Sequence, residues 1–264
     1  MKLSYVTANL IGAGFGFNGD HDWGKLDPAM IEQTTPETFR KIAKAVKAMG
    51  FDGIEVYTGH CSYLKRDLDY ARAIRDVCDE EGLQIAAYAG RFGTPVGTRD
   101  DFKKTFAMCR ALGTTLMAGV IDAKDWGLCA KMLRDEGLVI GLETNPEKNA
   151  EEVLAKIAGH EDVIKVTLDT GNITAEGGDA RVAAEKLMPH IVHLHLKDVR
   201  AVGGRDTLAL GKGVARVKDA LDYVIAHGYK AWASIEHEPY DRDPDPEVKE
   251  SLVTVRKWLA KKRK

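Results

Sequence analysis

A chain of 264 residues, 44% hydrophobic and 30% charged, has globular composition and enough length to bury a core without disulfides. Its 38 basic residues stand against 40 acidic ones for a formal charge of −2, which argues against nonspecific nucleic-acid binding. No run approaches the roughly 18 apolar residues that a membrane helix needs, so no membrane partner is expected.

The C-terminal KKRK reads as a solvated helix end rather than a nucleic-acid arm. The cysteines, Cys61, Cys78, Cys109 and Cys129, form no C-x-x-C pair and no zinc-like spacing, the pattern of reduced thiols in a cytoplasmic protein. A first strand is expected over residues 3–9, where Ser4, Thr7 and Asn9 break the apolar run that a signal peptide would need. The long connection 10–35 follows. Its glycines and its Phe15, Phe17, His21 and Trp23 side chains suit a lid or a substrate-binding loop. Trp23 and Phe17 would cover a pocket or pack against a neighbouring subunit. The glycines from Gly12 to Gly16 lack G-x-G-x-x-G spacing, Phe17 standing where the third glycine belongs, so a dinucleotide site is rejected.

Thr35-Pro36-Glu37 reads as N-cap, first-turn proline and acidic first turn of a helix that runs to Met49. FDGIEVY is a second strand, residues 65–81 a helix, LQIAAYA a third strand, and Thr98-Arg99-Asp100-Asp101 the cap of a helix to Leu112. TTLMAGV is a fourth strand, after which Asp122 caps a helix ending before Gly137. The fifth strand reaches Glu143, Asn145-Pro146 opens a helix, and the sixth strand reaches Asp169. A helix over 179–188 leads to the seventh strand. GKGVARVKDALDYVIAHG supplies the next helix, and the eighth strand and a last helix from Asp245-Pro246 close the chain. Gly50, Gly82, Gly113, Gly137 and Gly228 sit where a helix must turn left-handed into the next strand. Eight strand–helix units without a linker predict one α/β domain over 1–264, a single (β/α)8 TIM barrel with eight parallel strands. An open eight-stranded sheet is the alternative.

The last four strands share a pattern. Leu138, Ile140 and Leu142, then Ile164, Val166 and Leu168, then Val192, Leu194 and Leu196 lie on one face; Gly141 and Glu143, Thr167 and Asp169, His193, His195 and Lys197 lie on the other. Ser234 and Glu236 repeat this opposite Ala233 and Ile235. Glu143, Asp169, His195 and Glu236 would therefore meet at neighbouring strand ends, where barrel enzymes keep their chemistry. Three carboxylates and an imidazole there suggest a divalent metal, Mn2+ or Mg2+ ahead of Co2+ or Zn2+. Glu143 and Glu236 would double as the acid/base pair. Lys197 faces inward as a substrate contact or a structural ion pair, and His193, two residues deeper, as a hydrogen-bonded core group. Glu55 is read as a substrate-hydroxyl contact, His60 as an extra acid/base or a surface loop histidine, and Arg91 as a contact to a substrate oxygen or phosphate. His237 falls on the outer face.

FDGIEVY, GLETNP, TLDTGN, HLHLKDV, the Gly211-x-Gly213 element and SIEHE, in that order, resemble the xylose-isomerase-like TIM barrels, across nearly the whole chain. That superfamily includes sugar isomerases, ketose 3-epimerases, inosose dehydratases and abasic-site endonucleases. In its sugar-handling members one divalent metal, often manganese, sits on Glu, Asp, His and Glu, the places held here by Glu143, Asp169, His195 and Glu236. The resemblance implies an isomerase or epimerase of a small sugar or keto-sugar working through an enediolate, in a homo-oligomer (dimer or tetramer). The nearest alternative is a lyase, an inosose-type dehydratase or a 3-keto-glycoside β-eliminase. An abasic-site endonuclease and a barrel that only binds sugar stand further off. One departure is plain: where many relatives carry histidine three residues after the aspartate, this chain has Asn172.

Overall fold

The computed structural model describes residues 1–94 and 97–261, so three residues of the KKRK end lie outside the described residues. Alternating and fully apolar runs make eight parallel strands: β1 (Lys2–Val6), β2 (Gly53–Tyr57), β3 (Gln84–Phe92), β4 (Leu116–Ile121), β5 (Val139–Glu143), β6 (Ile164–Asp169), β7 (Ile191–Leu196) and, after a short antiparallel hairpin of β8 (Asp198–Val199) and β9 (Thr207–Leu208), β10 (Trp232–Ile235). They close in the order β1-β10-β7-β6-β5-β4-β3-β2, a (β/α)8 barrel as expected. Register aligns the functional ends, with Asp169 opposite His195, Glu143 opposite Thr167 and Ser234 opposite His195.

Helices α1 (Trp23–Gln33), α2 (Pro36–Met49), α3 (Leu68–Glu80), α4 (Arg99–Ala111), α5 (Trp126–Glu136), α6 (Ala150–Ile157), α7 (Thr170–Ala175), α8 (Ala180–Leu187), α9 (Val217–Ala226) and α10 (Asp245–Lys261) surround it. Outward strand residues such as Ile140, Leu142, Val166 and Leu194 bury completely or nearly so against residues such as Val153, Ala184, Leu187 and Val224 of these helices. Reciprocal caps start α2 at Thr35 and α4 at Thr98. Positive φ at Gly50 (99°), Gly82 (66°), Gly113 (79°), Gly137 (63°) and Gly228 (92°) ends the helical turns that precede strands.

Several boundaries differ from the sequence reading. The first strand stops at Val6 and passes into 3-10 turns over Thr7–Phe15, because the Asn9 side chain bonds the Ile235 carbonyl and the His237 amide instead of extending a strand. The connection 10–35 is not a bare loop: Asp22 caps α1, which tolerates Pro28 and seats Leu26 and Met30 against Val6 and Tyr57. Asp125 rather than Asp122 caps α5, since the Asp122 carboxylate is held by Arg91. Asn145-Pro146 is a cis peptide in a turn, and α6 begins later, at the Asn149 cap. The six-residue α7, hidden in TLDTGNITA, is capped by Asp169 itself. Residues 211–216 form a loop before α9 rather than its first turns.

Candidate metal centre at the barrel mouth

The C-terminal ends of the strands open into a cavity of about 400 Å3. Glu143, His195, Lys197, Glu236 and Glu238 line one side, Ala89, Gly90, Ala118 and Gly119 another, and Trp23, Tyr57 and Tyr240 stand toward α1. Ligand atoms of Glu143, Asp169, His195 and Glu236 all lie within 4.8 Å of one another, and all four side chains are buried. His195 Nδ1 is 2.8 Å from Glu143 Oε1 and 2.7 Å from Glu236 Oε2. Asp169 Oδ1 accepts from the amides of Gly171 (2.8 Å) and Asn172 (2.9 Å), which fixes the carboxylate by capping α7. Asp169 Oδ2 is buried without a hydrogen bond, and Glu236 Oε2 faces the His195 imidazole. Buried acceptors are costly when left unpaired, so the cluster has the donor set and the vacant valences of a cation site.

Electrostatics agree. Five carboxylates, those of Glu55, Glu143, Asp169, Glu236 and Glu238, crowd around the Lys197 ammonium and the imidazoles of His193 and His195. Burial raises the Asp169 carboxyl to about 7, with Lys197 opposing and Glu236 adding to the rise. Burial likewise raises Glu238 against the pull of Lys197. Glu236 goes the other way, because Lys197 and His195 outweigh the burial that would raise it. For His195, Glu55 and Glu236 overcome burial and lift the imidazole well above its usual value, so a proton at Nδ1 occupies the space between Glu143 and Glu236.

The remaining expected residues are placed as follows. Lys197 Nζ lies 2.7 Å from Glu236 Oε1, 3.0 Å from Glu238 Oε2 and 3.2 Å from Asp169 Oδ2, at the cavity wall. Arg91 and Trp23 also line the cavity; the Arg91 guanidinium is held in a fork by Asp122, and Trp23 Nε1 donates to the Tyr240 hydroxyl. Glu55 is wholly buried and is not among the cavity-lining residues; its oxygens meet His193, His195 and Ser234. His60 is buried edge-on to Phe39, its centroid 5.9 Å away, and burial pushes its imidazole down to about 3, away from the cavity. Phe17 sits in the 3-10 region near Gly12 rather than on the cavity wall. His237 points outward to Glu247 (2.8 Å).

Glu238, Asp27, Tyr57, Tyr240, Asn145, Arg205 and Thr207 line the cavity without having been singled out from sequence. Glu238 had a signal, because it continues the inward period of Ser234 and Glu236. Asp27 had none, since its place depends on α1 and on its bond from the Tyr57 hydroxyl (2.7 Å).

Residues 43–261 match a family described as xylose isomerase-like TIM barrel. Among curated proteins nothing matches the chain. Similar solved structures include a xylose isomerase-like TIM barrel protein from Mycobacterium smegmatis in complex with magnesium (TM-score 0.71, 16% identity, 98% of this chain and 96% of that one). Another is the probable 3-DHS dehydratase AsbF involved in petrobactin synthesis from Bacillus anthracis (TM-score 0.70, 16% identity, 97% and 99%). An L-ribulose 3-epimerase is a third (TM-score 0.68, 18% identity, 88% and 92%). At these identities the likeness is one of fold.

Proposed function

The chain belongs to the xylose isomerase-like TIM barrel family, and on that premise we propose that it is a metal-dependent isomerase or epimerase of a sugar or keto-sugar. The observation that carries this reading is the convergence of Glu143, Asp169, His195 and Glu236, whose ligand atoms lie within 4.8 Å of one another at the mouth of the barrel. The oxygen-rich donor set suits Mn2+ first, with Mg2+, Co2+ or Zn2+ as substitutes. A divalent cation held by these four residues supplies Lewis-acid stabilisation to charge developing on a substrate oxygen.

The chain's own groups account for the proton traffic. Glu143 ends β5 and Glu236 follows β10, with β6 and β7 between those strands, so the two carboxylates approach the cluster from different strands. Glu143 Oε1 is engaged by His195 Nδ1, which leaves Oε2 to take a proton from the carbon beside the carbonyl. Return of a proton from Glu236 on the other side inverts that carbon; return to the adjacent carbon isomerises the substrate. Lys197, hydrogen-bonded to Glu238 and paired with Glu236 Oε1, holds that carboxylate in place and balances its charge. Trp23, Tyr57 and Tyr240 narrow the entrance and limit water.

One observation favours a second reading. The Lys197 ammonium at the cavity wall offers a hydrogen bond and a positive charge to a departing hydroxyl or glycosidic oxygen, as β-elimination by an inosose-type dehydratase or a 3-keto-glycoside lyase would need. Proton NMR in D2O with ketoses, inososes and 3-keto sugars separates the two. Deuterium uptake at one carbon with every oxygen retained supports the isomerase or epimerase. Loss of water or aglycone moves the assignment to the lyase, and unchanged spectra across the panel with metal bound count against both.

A further inference from the structure

Glu55 of β2, like Asp169, has no exposure and takes no part in the cavity wall. Both its oxygens are committed. Oε1 lies 3.0 Å from His195 Nε2; Oε2 lies 2.8 Å from His193 Nε2 and accepts the Ser234 hydroxyl, which is itself 2.7 Å from Ser4 Oγ. The other nitrogen of the same imidazole, His195 Nδ1, faces Glu143 Oε1 and Glu236 Oε2. One ring thus bridges an enclosed carboxylate and the open acidic cluster.

A carboxylate only accepts hydrogen bonds, so its contact at Nε2 requires a proton on that atom; Nδ1, which also meets carboxylates, carries a second proton that a cation displaces while Glu55 keeps the first. An imidazole binds a cation through its bare nitrogen, and the bond made by the opposite nitrogen decides which one is bare. We propose that Glu55 is a positioning residue that holds the His195 proton on Nε2 and turns Nδ1 toward Glu143 and Glu236 for a divalent cation. This deepens the metal-centre reading above and rests on it. His193 holds the other oxygen and keeps the carboxylate from rotating away from His195; the Ser234 hydroxyl adds a second bond to that same oxygen. The competing role is direct ligation, because ligand atoms of Glu55, His193 and His195 also lie within 4.8 Å of one another. Against it, both Glu55 oxygens already have their partners, whereas Asp169, just as enclosed, keeps Oδ2 without a hydrogen bond.

Calorimetric titration with MnCl2 at one fixed pH tests this on wild type, Glu55→Gln and Ser234→Ala, with circular dichroism to check the fold of each. Gln keeps the volume and removes the charge; Ser234→Ala removes a bond to Glu55 that does not reach His195. The expected result is one ion per wild-type chain, an affinity about 10- to 100-fold weaker in Glu55→Gln, and about threefold change or less in Ser234→Ala. Wild type that binds no Mn2+ overturns the metal centre and this proposal with it. Wild type that binds, with Glu55→Gln close to it, overturns this proposal alone; so do two ions in wild type falling to one in Glu55→Gln. The imidazole 15N–1H spectrum of zinc-loaded wild type decides the matter without any variant. A His195 proton on Nε2 supports the assignment and one on Nδ1 overturns it.

Discussion

Asp169→Asn tests the metal centre with little disturbance of the fold. Asp169 Oδ1 caps α7 through the amides of Gly171 and Asn172, while Oδ2 is buried, unbonded and 3.2 Å from Lys197 Nζ. Asparagine has one acceptor oxygen and must choose. Turning its NH2 toward the helix would strand two buried amide donors at about 1–3 kcal/mol each. Its oxygen therefore stays on the cap and its NH2 replaces Oδ2, so the cation loses a ligand atom and a negative charge and faces a donor instead. Changes to groups that merely support a ligand weaken metal binding about 10- to 100-fold. Loss of the ligand itself is expected to exceed that range, giving at least about 100-fold, or ~2.7 kcal/mol. Calorimetry with Mn2+ and elemental analysis of the purified protein measure it, with thermal unfolding of the metal-free proteins as the check on fold. A variant that folds and keeps Mn2+ within about threefold of wild type would show that the cation, if any, sits elsewhere.

Four further outcomes follow from the same coordinates. In the metal-free protein Asp169 is raised to about 7, above the unfolded value of about 3.9, so the folded chain holds the extra proton between those limits. Stability should fall as pH rises through that window, and the fall should be smaller in Asp169→Asn, as read from urea midpoints at several pH values. For the same reason Mn2+ must expel protons from Asp169 and His195, so affinity should weaken as pH drops from about 8 to about 5, and the binding heat should vary with the buffer's ionisation enthalpy. Asp198 accepts from Gly211 (2.9 Å), Gly213 (3.0 Å), Ala215 (3.0 Å) and Val199 (3.1 Å), and Asp198→Asn leaves one pair of amides facing an NH2; a loss of about 3 kcal/mol in denaturant unfolding is expected. Gly119 has φ +151°, and a Cβ there would stand 1.9 Å from the Gly90 carbonyl oxygen. Gly119→Ala should therefore push β3 and β4 apart and cost about 3 kcal/mol or more, and an unshifted unfolding midpoint would refute the close approach.

How much of this was legible in the sequence depended on whether position followed from a local period. The ends of β5, β6, β7 and β10 were readable because inward and outward residues alternate strictly, so Glu143, Asp169, His195 and Glu236 fall in phase before any contact is known. Glu55 and His193 were also in phase, and both do point into the barrel. What the pattern could not give was depth: Glu55 lies in the middle of β2, two residues before Tyr57, which lines the cavity, and meets His195 from inside the barrel. Segments built on long-range contacts were illegible for a different reason. Helix α1 carries Pro28 and few apolar residues, and it is fixed by packing on Val6 and Tyr57 rather than by its own periodicity. Asp122 and Asn145-Pro146 looked like helix openings, and the distant partner Arg91 and a turn took them instead.

The position of Asn172 connects these threads. Its backbone amide is spent on Asp169 Oδ1 in the first turn of α7, and its side chain lines the cavity beside the acidic cluster. Where related barrels place a titratable imidazole, this chain places a neutral amide that can hold a hydroxyl but cannot take up a proton. The charged groups of the cavity wall beside the acidic cluster then include Glu143, Glu236, Glu238 and Lys197, and the last three form one hydrogen-bonded and ion-paired unit just beyond β10 and β7. Under the proposed chemistry the two sides are therefore unequal, with Glu143 next to His195 on the β5 side and the Glu236–Glu238–Lys197 group on the other. A substrate whose chemistry needs one base and one well-supplied acid fits that asymmetry better than one needing two equivalent bases. That is why Lys197→Met should depress turnover far more than it weakens Mn2+ binding. Equal losses in both would mean that the ammonium serves only to hold Asp169 and Glu236 in place.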